Sequence, residues 1–256
     1  MQVLKLFLIR AFIFIFIFFP LATKAQITYF ASASVHADNS NTNAANNPAA
    51  VTPPANMRDG DLVIFTGVRR ISNQTLTISN TGGQNWNSLP VLTGVADISP
   101  RIFWCRFNGT WTGDPSIEMG GASINTAVMH VFRPSARTYS WAMDVGQTIG
   151  APTTRTATIN AITNTQNTTL VFAAWFTADD NTWDQLTAGW STPGSSQYRN
   201  PIDPDMSCTF AYRIFTVSGS TGNVSKRQAT NQTDNSRTAI MSFYPFRTNM
   251  SAFLLE

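Results

Sequence analysis

Two histidines and two glutamates in 256 residues leave little from which to build a hydrolytic or metal-dependent active site, and charged residues make up only 12% of the chain. The formal net charge of +3 resides in the N-terminal segment. Without Lys5, Arg10 and Lys24, fourteen basic residues balance fourteen acidic ones, and the basis for a nucleic-acid or anionic-membrane partner is gone.

Residues 1–10 carry Lys5 and Arg10 and no acid. Residues 11–22 are an Ile/Phe-rich run broken only by Pro20, and Thr23 and Ala25 follow as small residues. These are the three parts of a secretory signal. About 12 apolar residues are too few for a spanning helix, which needs roughly 20, so no stable membrane span is expected. The chain is expected to be exported to the periplasm, the cell surface or the medium. Residues 1–25 would be removed, 26–247 would form a single β-sandwich domain, and 248–256 a short C-terminal tail.

Helical periodicity is almost absent beyond the signal, and strand alternation recurs throughout. Residues 27–34 read as a first strand, followed by a long Asn- then Pro-rich loop over 38–57. Asp59-Gly60 is a turn signal opening the β-branched run 61–69. Further strands are predicted at 74–79, 101–107, 116–119 and 126–133, with weaker candidates at 139–145 and 156–162. Strands at 169–177, 207–217 and 237–246 complete the set. The fold class is therefore all-β: a two-sheet antiparallel sandwich, jelly-roll-like, of about 8–10 strands.

The same order of marks runs twice. Leu62-Val63-Ile64-Phe65 is matched by Leu170-Val171-Phe172-Ala173, and Trp86 after Gly82-Gly83 by Trp190 after Gly189. Phe103-Trp104-Cys105-Arg106 is matched by Ala211-Tyr212-Arg213, and Ala127-Val128-Met129 by Ala239-Ile240-Met241. A repeat can mean duplication, or two halves of one sandwich meeting the same packing problem. The slight identity beyond the marks favours the second. Together with Asp114-Pro115-Ser116 and Gly60-Asp61, this order resembles jelly-roll-type modules of phage structural proteins and bacterial surface proteins, over roughly residues 27–246. The resemblance implies the fold and a virion-surface or extracellular setting, and no activity. The signal segment departs from phage-borne members.

No Gly-x-Ser-x-Gly elbow, phosphate-binding loop or zinc spacing occurs. Five aspartates fall close together: Asp179, Asp180, Asp184, Asp203 and Asp205. Calcium takes six to eight oxygens from flexible loops, so these are candidate calcium ligands. They are expected to meet at one rim if the strands 169–177 and 207–217 are neighbours. Asp38 to Thr42 is a second oxygen-rich loop without EF-hand spacing. Trp111 and Trp183, in loop-like context, and Asn181 are candidate glycan contacts, since sugar C–H faces stack on aromatic rings. Trp86 and Trp190 are expected to plug the sheet ends. Cys105 shares a strand face with Phe103 and Phe107, and Cys208 with Phe210, Tyr212 and Ile214. A bridge between them and two buried free thiols both remain open. The expected function is a secreted, non-catalytic surface or adhesive module, with an extracellular glycan or surface protein as partner. The alternatives are a carbohydrate-active enzyme and a structural component of a surface assembly.

Overall fold

The computed structural model describes residues 26–36, 48–70, 75–92, 98–118, 125–201, 205–229 and 233–247. The expected signal at 1–25, the oxygen-rich loop at 38–42, Asp203 and the tail at 248–256 lie outside the described residues. Among those described, no helix is long and apolar enough to cross a membrane.

The structure is all-β, with antiparallel pairing throughout. The first half of the chain forms β1 (Ile27–Val35), β2 (Ala49–Ala50), β3 (Leu62–Arg69), β4 (Thr77–Ile78), β5 (Asn87–Ser88), β6 (Ser99–Arg106), β7 (Ser116–Glu118) and β8 (Asn125–Pro134). The second forms β9 (Tyr139–Gly150), β10 (Thr156–Ile159), β11 (Thr163–Asn164), β12 (Thr169–Thr177), β13 (Trp183–Asp184), β14 (Tyr198–Asn200), β15 (Met206–Phe215), β16 (Gly219–Ser220), β17 (Val224–Gln228) and β18 (Ser236–Arg247).

A jelly roll is a long hairpin of eight strands wound so that successive pairs alternate between two sheets. The first half does this. β1 pairs β8 and β3 pairs β6 in a five-stranded sheet ordered β1-β8-β3-β6-β5, while β2-β7-β4 form a second sheet. The second half repeats the plan as β9-β18-β12-β15-β14 and β10-β17-β13, with β11-β16 added as a separate pair. The expected all-β, antiparallel, jelly-roll-like sandwich is present, and its strand plan occurs twice along the chain. The chain holds two jelly rolls in tandem, joined by residues 135–138, and the repeat is one of topology.

The reason lies in β3 and β12, every residue of which is buried. A strand covered on both faces reads as a continuous apolar run, and LVIFTGVR and TLVFAAWFT do. Because side chains alternate, Val63 and Phe65 face β2, β4 and β7 in one outer core. Val171, Ala173 and Trp175 face β10, β13 and β17 in the other. Leu62 and Ile64 instead share a middle core with Leu170, Phe172 and Ala174. The two large sheets thus pack face to face, each with a small sheet on its far side.

The two rolls are related by a pseudo-two-fold. Leu62 pairs with Arg106 and Phe132; Leu170 pairs with Ile214 and Phe243. Trp104 then corresponds to Tyr212, and Phe132 to Phe243. Across the middle core Trp104 meets Phe243 edge-on at 5.3 Å and 65°, and Tyr212 meets Phe132 at 5.2 Å and 68°. Trp86 and Trp190 also correspond, because Asn87 pairs with Trp104 and Ser191 with Tyr212. The fourth sequence mark is displaced by one residue. Met129 lies opposite Phe65 and Ile240 opposite Ala173, so Ala127 and Ala239 face different cores.

The same sidedness separates the cysteines. Cys105 lies in the outer core of the first roll and Cys208 in the middle core, and both are buried free thiols. The bridge expectation assumed one core; with a sheet between the two residues, the free-thiol alternative is the structure's. Burial pushes both thiols up.

His130 stands where the second roll has Met241. It is fully buried against Phe210 (4.7 Å) and Phe172 (5.5 Å), and neither ring nitrogen has a hydrogen-bond partner among the described residues. Burial lowers its pKa to about 3. Since the unfolded chain protonates near 6.5, stability is intact above that pH and is lost as pH falls toward 3, with a slope of up to about 1.4 kcal/mol per pH unit. His130→Met is expected to flatten this acid limb while leaving stability above pH 7 equal or higher. Urea unfolding from pH 4.5 to 7.5 reads it; an unchanged pH slope would mean that other groups set the acid limb.

Candidate cleft at the junction of the two rolls

Where the end of β6 meets β9 and the end of β18, the surface opens into a cleft of about 370 Å³. Asn85, Asn87 and Arg106 of the first roll line it with Trp104, and Trp141 and Phe246 of the second close it. Trp104 and Trp141 are 9% and 6% exposed and form the floor, whereas Phe246 is 38% exposed and presents an aromatic surface. The Trp141 indole donates to the Gly60 carbonyl at 2.9 Å.

Two interlocked loops hold the asparagines. The buried Gln84 amide donates to Asn108 Oδ1 and to the Thr110 carbonyl, both at 2.7 Å, and accepts from Asn108 N at 3.0 Å. Asn108 Nδ2 donates back to the Gly82 carbonyl at 2.8 Å. Gly82 has φ 69°, and a Cβ there would lie 2.1 Å from the Thr110 carbonyl oxygen, so only glycine lets the loops close. Beyond this lock, strand alternation turns Trp86 toward the outer core and leaves Asn85 and Asn87 exposed. Asn85 makes no side-chain hydrogen bond among the described residues.

Arg106 is the one ionisable group among the residues lining the cleft, and four of its five N–H donors are committed. Its Nη atoms donate to both Asp59 carboxylate oxygens at 2.7 and 3.2 Å, and Nε and Nη2 donate to the Tyr139 and Arg137 carbonyls, each at 2.9 Å. The site is uncharged in effect and rich in amides that can both donate and accept.

The sequence-predicted residues lie elsewhere. β12 and β15 are neighbours, and Asp179, Asp180 and Asp205 converge at their shared end, with one carboxylate oxygen from each within 4.8 Å of the others. Asp184 is not among them; it forms a bidentate pair with Arg227 at 2.7 and 2.8 Å, and this partner holds its carboxyl below the usual range. Asp203 lies outside the described residues. Asp234, which sequence spacing did not suggest, joins the field and binds Asn181 Nδ2 at 2.6 Å. Asn181 is 1% exposed and also donates to Gln228 Oε1, so it braces loops and cannot meet a glycan. Trp183 is 5% exposed with its indole donating to Ser207 Oγ, so it is a core residue and the expected sugar contact is corrected. Trp111 is half-buried, stacked on Phe107 at 4.8 Å and facing Trp86 at 6.4 Å, and belongs to the rim of the first outer core. The cleft residues Asn85, Asn87, Trp141 and Phe246 were missed. The available signal was the Asn-Trp-Asn alternation beside Gly82-Gly83.

No protein-family model, curated protein or solved structure matches the chain.

Burial and the neighbouring Asp234, Asp205 and Asp180 raise Asp179 to about 6. A carboxyl with a raised folded pKa destabilises at pH 7.5, and the penalty fades as pH falls from above 6 toward 4. Asp179→Asn in chelator is expected to raise stability at pH 7.5 by on the order of 1 kcal/mol once solvent screening is allowed for, seen as a higher Tm, with no gain at pH 4. Thermal unfolding in chelator and in calcium checks this. Stabilisation of the wild type by calcium that Asp179→Asn abolishes would make the cluster a cation site instead.

Proposed function

We propose that the protein is an exported, non-catalytic recognition module of the cell surface or extracellular space that holds a glycan in the cleft between its jelly rolls. The observation that carries this is the exposed Phe246 beside Asn85 and Asn87. Apolar sugar faces stack on an aromatic ring, while amides serve hydroxyls that both donate and accept. The N-terminal segment supports the export half of the proposal. The jelly-roll strand order supports the setting suggested by phage and bacterial surface modules.

The enzyme alternative needs a carboxylate pair at the sugar site. The cleft lining described above contains none. The Asp179–Asp180–Asp205 cluster lies at the other end of β18 from Phe246, about 30 Å away at ~3.3 Å per residue. The assembly alternative calls for a flat apolar patch. The large exposed hydrophobics among the described residues are Ile149, Val217 and Phe246, on β9, after β15 and at the end of β18.

A glycan array probed with the chain from Gln26 tests the proposal, with Phe246→Ala and Asn85→Ala alongside. A subset of glycans is expected to bind, with roughly tenfold weaker binding in each variant at unchanged Tm. No bound glycan, or binding that survives both substitutions, would overturn it.

A further inference from the structure

The cleft does not end at Asn85 and Asn87. The same two residues also line a second cleft of about 350 Å³, together with Ile78, Asn80, Gln84 and Trp86. Each cleft alone sits at the low end of the roughly 300–1,000 Å³ range for small-ligand sites. The two clefts share Asn85 and Asn87 at the β5 edge of the first large sheet, and together they offer a groove to a ligand longer than one sugar unit.

Two features of the groove select its occupant. The first is charge. Arg106 is neutralised by Asp59, and no other ionisable side chain lines either cleft. A uronate or sialate would find no free cation. The second is the distribution of contacts. Phe246 offers its ring at one end, Asn85 and Asn87 stand midway, and Asn80 and Trp86 stand at the other end. Asn80 is exposed and makes no side-chain hydrogen bond among the described residues. Contacts distributed over two adjoining clefts suit successive units of a chain.

We infer that the groove takes an internal segment of a neutral, unbranched glycan, passing from Phe246 over Asn85 and Asn87 to Asn80. This rests on the glycan proposal above and names the class of ligand for that site. The flanking sugar units leave the groove into solvent at both ends, so neither end of the glycan is recognised.

The test is calorimetric titration of the chain from Gln26 with two panels. One contains neutral linear gluco-, xylo-, manno- and galacto-oligosaccharides of one to six units. The other contains oligogalacturonides and sialylated oligosaccharides. At least one neutral series is expected to bind, with affinity rising roughly tenfold or more between one and three units and then levelling. Phe246→Ala should weaken short and long ligands alike, whereas Asn80→Ala should weaken only those long enough to reach the second cleft. A stronger acidic ligand, a monosaccharide bound as tightly as its oligomers, or Asn80→Ala without effect on the longest ligand would overturn the inference while leaving a glycan site in place. No binding in either panel, or binding indifferent to Phe246→Ala and Asn85→Ala, would remove the glycan proposal itself.

Discussion

Two strands buried on both faces govern this structure. β3 and β12 each carry apolar side chains above and below their sheet, and neither sheet can expose either face to water at acceptable cost. A two-sheet jelly roll covers one face of its larger sheet and leaves the other open. Here the open face of each roll is as apolar as the covered one, and among the described residues each roll covers the other. The middle core, with Phe132, Phe172, Phe210 and Phe243 fully buried, is the consequence.

That arrangement also explains where the cleft lies. The pseudo-two-fold creates two equivalent junctions between the rolls, and they are filled differently. At one, Tyr29 stacks on Tyr212 at 5.7 Å and 28°. At the other, the corresponding residues are Met143 and Trp104, and the position matching Ile214 is Arg106, tied down by Asp59. Ser191 is replaced by Asn87. The second junction therefore has polar walls above a tryptophan floor where the first has stacked tyrosines. The functional candidate arises where the two rolls depart from each other, on a scaffold set by what they share.

Strand positions were legible wherever alternation or a continuous apolar run was strong. The strand predicted at 169–177 is β12 to the residue, and 27–34, 61–69 and 126–133 miss by one or two positions. β17 was not legible because its inward residues include Lys226 and Gln228. The Lys226 ammonium donates to Thr209 Oγ1 and to the Ser196 carbonyl, and burial lowers its pKa to about 8. A strand whose buried face is polar gives no hydrophobic period. Which core each strand face joins was not legible for a related reason: alternation assigns a side chain to a face, but not to a particular core. Cys105 and Cys208 illustrate this, as does the one-residue slip between Ala127 and Ala239. The acidic rim followed from strand adjacency. Its membership did not, because Asp184 finds Arg227 on β17 and Asp234 arrives from the loop before β18. Of the tryptophans in loop-like sequence, Trp183 and Trp190 are core residues and Trp86 and Trp111 pack half-buried against the first outer core, while the exposed aromatic of the cleft is a phenylalanine at the end of a strand.

If each roll depends on the other for cover, the two cannot unfold separately. Differential scanning calorimetry of the chain from Gln26 tests this most directly. The shared middle core predicts a single transition whose calorimetric and van't Hoff enthalpies agree, and which shifts as a whole when Trp104→Ala or Tyr212→Ala weakens one of the symmetric contacts. Two resolved transitions, with each substitution moving only the transition of its own roll, would contradict it.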